Sequence, residues 1–254
     1  MSDPVALAAM NNVLQSEAVL AAVGSTGTFT DTFWSNDHSY DIPYANGATL
    51  GSPEDRDAHL TAVSDLTASR PPGAPTFVMD SFAALDLAPE AFTIRIADEW
   101  FVREGSPARR QLASSHDIRQ IESDNELALF EAASVAGFGG TPPDSPGHTY
   151  PAALLSDPRF RFFTLHTDGE LAAGVFLFED PACTGVFTFF TLPGHRNRGL
   201  GTALLDEVLG QAPEKLLATN PSSMSREIFA SFGFRPAGGR RIWVREAQSG
   251  NRSR

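Results

Sequence analysis

The chain has 254 residues, 42% hydrophobic, 10% aromatic and 20% charged, with a formal net charge of −12 at pH 7, which suits one large domain or two modest ones around an ordinary globular core. The charge is uneven: residues 1–192 carry 9 Arg and no Lys against 26 acidic residues, for −17, whereas residues 193–254 carry 9 Arg and 1 Lys against 5, for +5. The total excludes broad, non-specific nucleic-acid binding, which needs a surplus of Lys and Arg, and the basic quarter leaves room for one compact anionic ligand.

In chain order, Pro4–Val23 carries apolar residues at helical spacing, Gly24–Asn46 follows no clear period, and Glu54–Ser69 is a helix stopped by Pro71–Pro72. Thr76–Met79 reads as a strand, Phe82–Leu87 as a short helix, and Phe92–Arg103 as two strands around Ala97–Glu99. After Gly105–Ser106–Pro107 the pattern restarts with a strand at Arg110–Ala113. A helix follows at Ser123–Val135, its Ser123 and Glu126 spaced as a capping box. Gly139–Pro151 is a loop by composition, and strands Phe160–His166 and Glu170–Phe178 are joined by Asp168–Gly169, a strong hairpin signal. Then come a strand at Thr184–Leu192, a helix at Gly201–Gly210, a strand at Lys215–Ala218, a helix at Ser225–Phe232 and a strand pair within Phe234–Arg245.

Two stretches end alike, on Trp100-Phe101-Val102-Arg103-Glu104 and on Trp243-Val244-Arg245-Glu246, each after helix, strand, short helix and strand pair. Two readings fit: a degenerate internal repeat whose first copy is a half-unit, and chance similarity of a short tail. Cys183 is the only cysteine, so neither an intramolecular disulfide nor a CxxC metal pair is available, and no metal site is expected. The longest apolar run, Leu171–Phe178, is short for a membrane helix, and MSDPVALAAMNN lacks a basic n-region. The expectation is a soluble, cytoplasmic protein without a membrane partner.

The informative segment is Phe187–Leu205, FTFFTLPGHRNRGLGTALL. A strand runs into a turn bearing Arg196, Gly199 and Gly201, and an apolar helix starts at once. Such a helix start gathers unpaired N–H groups and the positive end of the helix dipole, which suits a phosphate. Gly199 and Gly201 would let a ligand approach the backbone, and Arg196 and Arg198 would add fixed cations. The glycine pair alone fits a tight strand-to-helix connection equally well. The spacing excludes a Walker loop and a Rossmann fingerprint.

The string Arg196-Asn197-Arg198-Gly199-Leu200-Gly201 resembles the phosphate-binding signature of the GNAT-type N-acetyltransferases. Downstream, Asn220-Pro221 and the run Ile228–Phe234 resemble that family's second motif, an Asn and then a helix ending aromatic-x-x-x-Gly-Phe. The resemblance spans roughly residues 108–246. It implies an α/β (α+β) GNAT fold, a mixed central sheet with flanking helices, as a domain over 106–246. Before it lies an N-terminal α/β region, 1–105, read as a degenerate half-GNAT unit if the repeat is real; after it, 247–254 is a flexible tail.

The resemblance also implies acetyl-CoA as co-substrate, an acyltransferase activity, and transfer to a primary amine of a small molecule or peptide, with a cationic acceptor favoured by the acidic body. The pyrophosphate would lie on the amides of Arg198, Gly199, Leu200, Gly201 and Thr202, beside Arg196 and Asn197. The pantetheine would run along Thr191 and Leu192, with Asn220 bonding it and Phe229 near the thioester. The family's usual thiolate donor is a Tyr where this chain has Phe229, and Tyr40, Tyr44 and Tyr150 all precede residue 151. Candidates for proton transfer are Glu179, Asp180, His148 and Ser225, each with an ordinary structural reading beside it. His195 suits loop orientation or phosphate contact better than base chemistry, and Cys183 has no visible activating partner. Trp34, Tyr40 and Tyr44, with Asp31, Asp37 and Asp41 interleaved among them, form either an aromatic-acidic wall for a cation or part of the structure. The alternatives to an enzyme on small amines are a non-catalytic acyl-CoA sensor, favoured by Phe229, and an aminoacyl transferase using charged tRNA, disfavoured by the net charge.

Overall fold

A computed structural model describes residues 3–38, 44–71, 73–105, 116–142 and 147–246. The elements in chain order are α1 (Pro4–Ala22), β1 (Thr28–Phe29), β2 (Phe33–Ser35), β3 (Gly47–Thr49), α2 (Arg56–Ser69), β4 (Thr76–Asp80), β5 (Thr93–Arg103), β6 (Asp117–Gln120) and α3 (Asp124–Gly137). They continue with β7 (Phe160–Thr167), β8 (Glu170–Glu179), β9 (Cys183–Thr191), α4 (Leu200–Leu209), β10 (Leu216–Thr219), α5 (Arg226–Ser231) and β11 (Arg235–Arg245). The chain forms two compact units, Met1–Trp100 with Ala237–Arg254, and Phe101–Pro236. The expected boundary at 105/106 therefore differs from this division. The end of β11 belongs to the first unit because it pairs antiparallel with β4, from Arg241 opposite Asp80 to Arg245 opposite Thr76.

In the first unit β1, β2 and β3 are antiparallel neighbours, β3 runs parallel to β4 over Gly47–Ala48, and β11 follows β4. Phe33, Val63, Leu66, Val78, Leu85, Phe92 and Trp243 form its core. Helix α1 is long and apolar enough to cross a membrane by composition alone, but Ala8, Ala9, Val13, Val19 and Leu20 are buried within the unit. Two sequence expectations change here. The expected helix at Phe82–Leu87 is a turn, because the Asp80 carboxylate accepts the amides of Ala84 (3.1 Å) and Leu85 (2.9 Å) and Ala83 takes a φ of +52°. The expected pair of strands at Phe92–Arg103 is one strand, β5.

The second unit is a mixed sheet in the order β5–β10–β9–β8–β7–β6, antiparallel throughout except for β9 and β10. Alternation along the strands sorts its side chains onto two faces. Phe163 and Leu165 of β7 with Val175 and Leu177 of β8 join a core completed by Leu204, Leu205 and Val208 of α4 and Phe229 of α5. The intervening residues, Phe160, Phe162, Phe176 and Phe178, build an aromatic layer with Phe130 of α3 and Tyr150. The hairpin turn has φ of +55° at Asp168 and +82° at Gly169, as the sequence signal requires. The expected strand at Arg110–Ala113 lies outside the described residues, as does the tail 247–254; the first described strand after residue 105 is β6.

Helix α3 opens on the expected capping box, with the Glu126 amide donating to Ser123 Oγ and the Ser123 amide to Glu126 Oε2 (3.1 Å). Glu131, fully buried one turn later, accepts the amides of Gly147 (3.0 Å), Thr149 (3.1 Å) and Tyr150 (3.2 Å). One buried carboxylate thus satisfies three main-chain donors and ties the loop to the helix. Glu131→Ala strands those donors and should lower stability by about 3 kcal/mol, measured by calorimetry, whereas Glu122→Ala on the exposed helix start should change it by less than about 0.5 kcal/mol.

Candidate functional site

Strand β9 sets the geometry of the site. Its pairing with β10 covers only Cys183–Gly185 opposite Leu216–Ala218. On its other edge, pairing with β8 continues to Thr191 but slips by one residue: Phe187 faces Phe176, whereas Phe190 faces Gly174. The slip is a β-bulge at Thr188–Phe189, and Thr188 sits at φ +50°. Beyond Gly185 the two parallel strands diverge, and the open wedge leads to the turn before α4.

That turn is held from within. Leu192 N–H donates to Ala172 O (2.9 Å), His195 N–H to Leu192 O (2.9 Å), and the Arg196 guanidinium to Thr191 O (3.1 Å) and Gly137 O (2.7 Å). Asn197 at φ +59° and Gly199 at +75° turn the chain into α4. The first helical bond there runs from Ala203 N–H to Gly199 O (3.0 Å), so the amides of Leu200, Gly201 and Thr202 lie ahead of the ladder. Gly199 has open space around its Cβ position and is glycine for its dihedral, while a Cβ at Gly201 would lie 2.8 Å from Phe189 Cζ. The helix start is thereby pressed against β9.

These elements line a cleft of about 640 Å³, of ordinary size for a small-molecule site. One wall is the turn with Phe189 and Phe190, another is Gly137–Phe138 at the end of α3, and the third is Ser222, Met224, Ser225 and Ile228 before and on α5. Among the described residues no group of three or more His, Cys, Asp or Glu could hold a metal.

Of the residues singled out by sequence, Thr191, Arg196, Asn197, Gly199, Leu200, Gly201, Thr202 and Ser225 line this cleft. Arg198 is exposed beside it, with its guanidinium 3.3 Å from His195 Nδ1. Four expectations are corrected. Thr191 O and the Leu192 amide are already bonded, so the backbone that diverges from β10 lies upstream, after Gly185. Phe229 is 1% exposed, with its ring edge-to-face on Phe189 (5.4 Å) and Phe234 (5.3 Å); it is a core residue behind the wall. Asn220 follows β10, half-buried and outside the lining. Arg196 uses its cation on main-chain carbonyls and shapes the turn.

The carboxylate candidates are elsewhere. Glu179 pairs with Thr184 at the closed end of the β8–β9 ladder, seven residues along β9 from Thr191, roughly 20 Å for a strand. It bonds Arg161, with Lys215 3.9 Å away. Asp180 accepts the amides of Ala182 (2.7 Å) and Cys183 (2.9 Å), closing that turn. His148 is exposed on the loop held by Glu131, and His166 in β7 contacts Thr164 Oγ1 (3.2 Å). Burial pushes the Cys183 thiol pKa up, as expected of an inert cysteine. Trp34 is buried and donates to Glu17 (2.9 Å), and the Tyr44 hydroxyl accepts from Gln15 (3.1 Å), so both have structural roles; Tyr40 and Asp41 lie outside the described residues.

Sequence reasoning passed over Gly137, Phe138, Met224 and Ile228 as lining residues. It also set Tyr150 aside, yet the fold brings its hydroxyl to 2.7 Å from Thr188 Oγ1 at the bulge. No local signal joins residues 38 positions apart.

Residues 117–234 match the model of the Acetyltransferase (GNAT) family. No curated protein sequence matches the chain significantly. Among solved structures, a GCN5-related N-acetyltransferase from Kribbella flavida superposes at TM-score 0.60 and 14% identity, over 92% of this chain and 94% of its own. A protein from Novosphingobium aromaticivorans described as a GNAT-family acetyltransferase gives 0.58 and 15%, over 96% and 98%. A GCN5-related N-acetyltransferase from Sphaerobacter thermophilus gives 0.54 and 13%, over 96% and 93%. At these identities the likeness establishes the fold.

Two outcomes follow from the geometry. Gly199→Ala should cost about 1 kcal/mol of stability, from an L-residue forced left-handed, and weaken ADP binding several-fold by calorimetric titration. Phe229→Tyr buries a hydroxyl between two rings and should destabilise the protein by about 1–3 kcal/mol, seen as a lower denaturation midpoint, without raising turnover.

Proposed function

We propose that this chain, whose residues 117–234 match the Acetyltransferase (GNAT) family model, transfers the acetyl group of acetyl-CoA directly to a primary amine of a small, cationic acceptor. The observation that carries the reading is the start of α4, where Leu200, Gly201 and Thr202 leave three amides outside the helical ladder at the mouth of a 640 Å³ cleft. Those amides and the helix dipole suit the donor's pyrophosphate, with Arg198 and His195 at its edge. The pantetheine follows the wedge where β9 parts from β10, since a strand edge without a partner offers donors and acceptors to an extended amide chain.

In the reaction, the amine nitrogen forms a bond to the thioester carbonyl carbon, the C–S bond breaks, and the sulfur leaves with the electron pair. The attacking nitrogen sheds its proton to solvent, since none of the described residues lining this cleft is a carboxylate. The thiolate takes its proton from Ser225 as Ser225 regains one from solvent by way of Ser222, whose Oγ lies 3.1 Å from its own in the cleft wall, so that the proton shed by the amine is returned to the sulfur. Ser225 stands in for the tyrosine absent at Phe229. A hydroxyl donor is weak, but a thiolate with pKa near about 8.5 is a tolerable leaving group. The acidic body, −17 over residues 1–192, favours cationic acceptors through its long-range field.

The reading is tested by free-thiol release from acetyl-CoA across amines, peptides and aminoglycosides. Thiol release that depends on a cationic amine is expected, and binding without release would point to a sensor. Ser225→Ala should lower kcat roughly tenfold at neutral pH and much less above the thiol pKa of about 8.5, where the sulfur leaves unprotonated. A deficit that is the same at every pH would remove Ser225 from the proton path.

A further inference from the structure

We infer that Tyr150 is a positioning residue for this transfer, its phenol fixing the left-handed Thr188 and through it the course of Phe189 and Phe190 along the cleft. The inference rests on the acetyl-transfer reading above and concerns how β9 is held in register for it.

A β-branched residue at φ +50° is rare, because its Cβ substituents crowd the backbone, and such residues persist only where the surroundings enforce them. At Thr188 the enforcement is visible. Its Oγ1 lies 2.7 Å from the Tyr150 hydroxyl. The Tyr150 ring is clamped edge-on by Phe130 (5.7 Å), Phe162 (5.6 Å) and Phe176 (5.6 Å), and its amide is bonded to the buried Glu131 carboxylate. Burial pushes the phenol pKa up, so the group stays protonated and does not itself titrate near neutral pH.

The consequence lies in the next two residues. With the bulge at Thr188, Phe189 turns toward α4 and α5, against the Cβ position of Gly201 and the ring of Phe229. Phe190 turns toward α3, where its ring meets Phe130 at 5.4 Å and fills the space that Cβ atoms on Gly137 and Gly174 would need. A slip of one residue would send each ring to the wrong face of the sheet. The Tyr150–Thr188 contact thus specifies which face each wall residue takes.

The test separates register from packing. Tyr150→Phe keeps the ring and removes the hydroxyl; Thr188→Val keeps the branch and removes the partner; Thr188→Gly removes the need for any clamp, since glycine accepts a positive φ. Tyr150→Phe and Thr188→Val should each lower kcat with the best amine about tenfold while the Kd for ADP, measured calorimetrically, changes less than twofold. The double variant Tyr150→Phe/Thr188→Gly should recover most of the lost kcat although its melting temperature stays low, and the shape of the pH–rate profile should not change. Tyr150→Phe with wild-type kcat and only a lower melting temperature would overturn the inference, as would failure of Thr188→Gly to rescue. A wild-type chain that neither binds acetyl-CoA nor releases thiol would overturn the transfer reading, and this inference with it.

Discussion

Every main-chain amide and carbonyl in a sheet interior needs a partner, and β9 is where that requirement is left open on one side. The strand is paired with β8 almost to its end, so it stays rigid, while its other edge is paired with β10 for only three residues. A strand free on both edges would fray, and one paired on both would leave no wedge. The bulge at Thr188 lets β9 change course without losing β8, and the turn that follows is bonded back to Ala172, Thr191 and Gly137. Rigidity on one edge and vacancy on the other bring the α4 start to a fixed place beside an open groove.

The basic residues of the C-terminal quarter do not all face the turn before α4. A +5 surplus over residues 193–254 suggests a cationic surface around the phosphate turn. Four of the eight basic side chains among the described residues of this stretch are committed elsewhere. Arg240 forms a two-point pair with Asp98 (2.8 and 2.7 Å), Arg241 bonds Leu85 O (3.1 Å), Lys215 bonds Asp180 O (2.7 Å) and Arg226 lies over the Phe101 ring. Arg196 sits in the turn yet donates to carbonyls. On the proposed reading, the donor's phosphates would therefore be held mainly by backbone amides and the helix dipole, with Arg198 at the rim.

Local features were legible in the sequence and distant ones were not. The Asp168–Gly169 hairpin, the Ser123–Glu126 capping box and the strand–turn–helix around Gly199 and Gly201 depend on neighbours within a few positions, so residue type and spacing announce them. Glu179 and Asp180 looked like bases because a strand end near the acceptor is a reasonable place for one. Only the register shows that they close the far end of the β8–β9 hairpin. Phe229 matched a motif position, but which side of a six-residue helix faces the cleft depends on how α5 packs, and there Ser225 and Ile228 face it instead. Tyr150 was invisible as a site residue because its role comes from a loop tied down by Glu131 and a bulge on another strand.

The first unit shows how little is needed to close such a site. There too a strand, β3, runs parallel to its neighbour β4 for a short stretch and leads by a glycine-bearing turn into a helix, and Thr49-Leu50 stands before that turn as Thr191-Leu192 does before the other. But there a 3-10 turn, Pro53–Asp55, leads into α2, and its amides have partners from the chain itself. Glu54 N–H donates to Ser52 Oγ (3.1 Å) and Ser52 N–H to Asp55 Oδ2 (2.9 Å), in a capping box whose second member is the Asp55 carboxylate. Gly51, at φ +74°, has the Asp55 carboxylate against its Cβ position. A carboxylate held at the positive end of a helix already takes the place and the charge that an external anion would take. The contrast isolates what matters at α4: its first turn, Leu200-Gly201-Thr202, has no acidic side chain, and its cap is a glycine without an oxygen to offer.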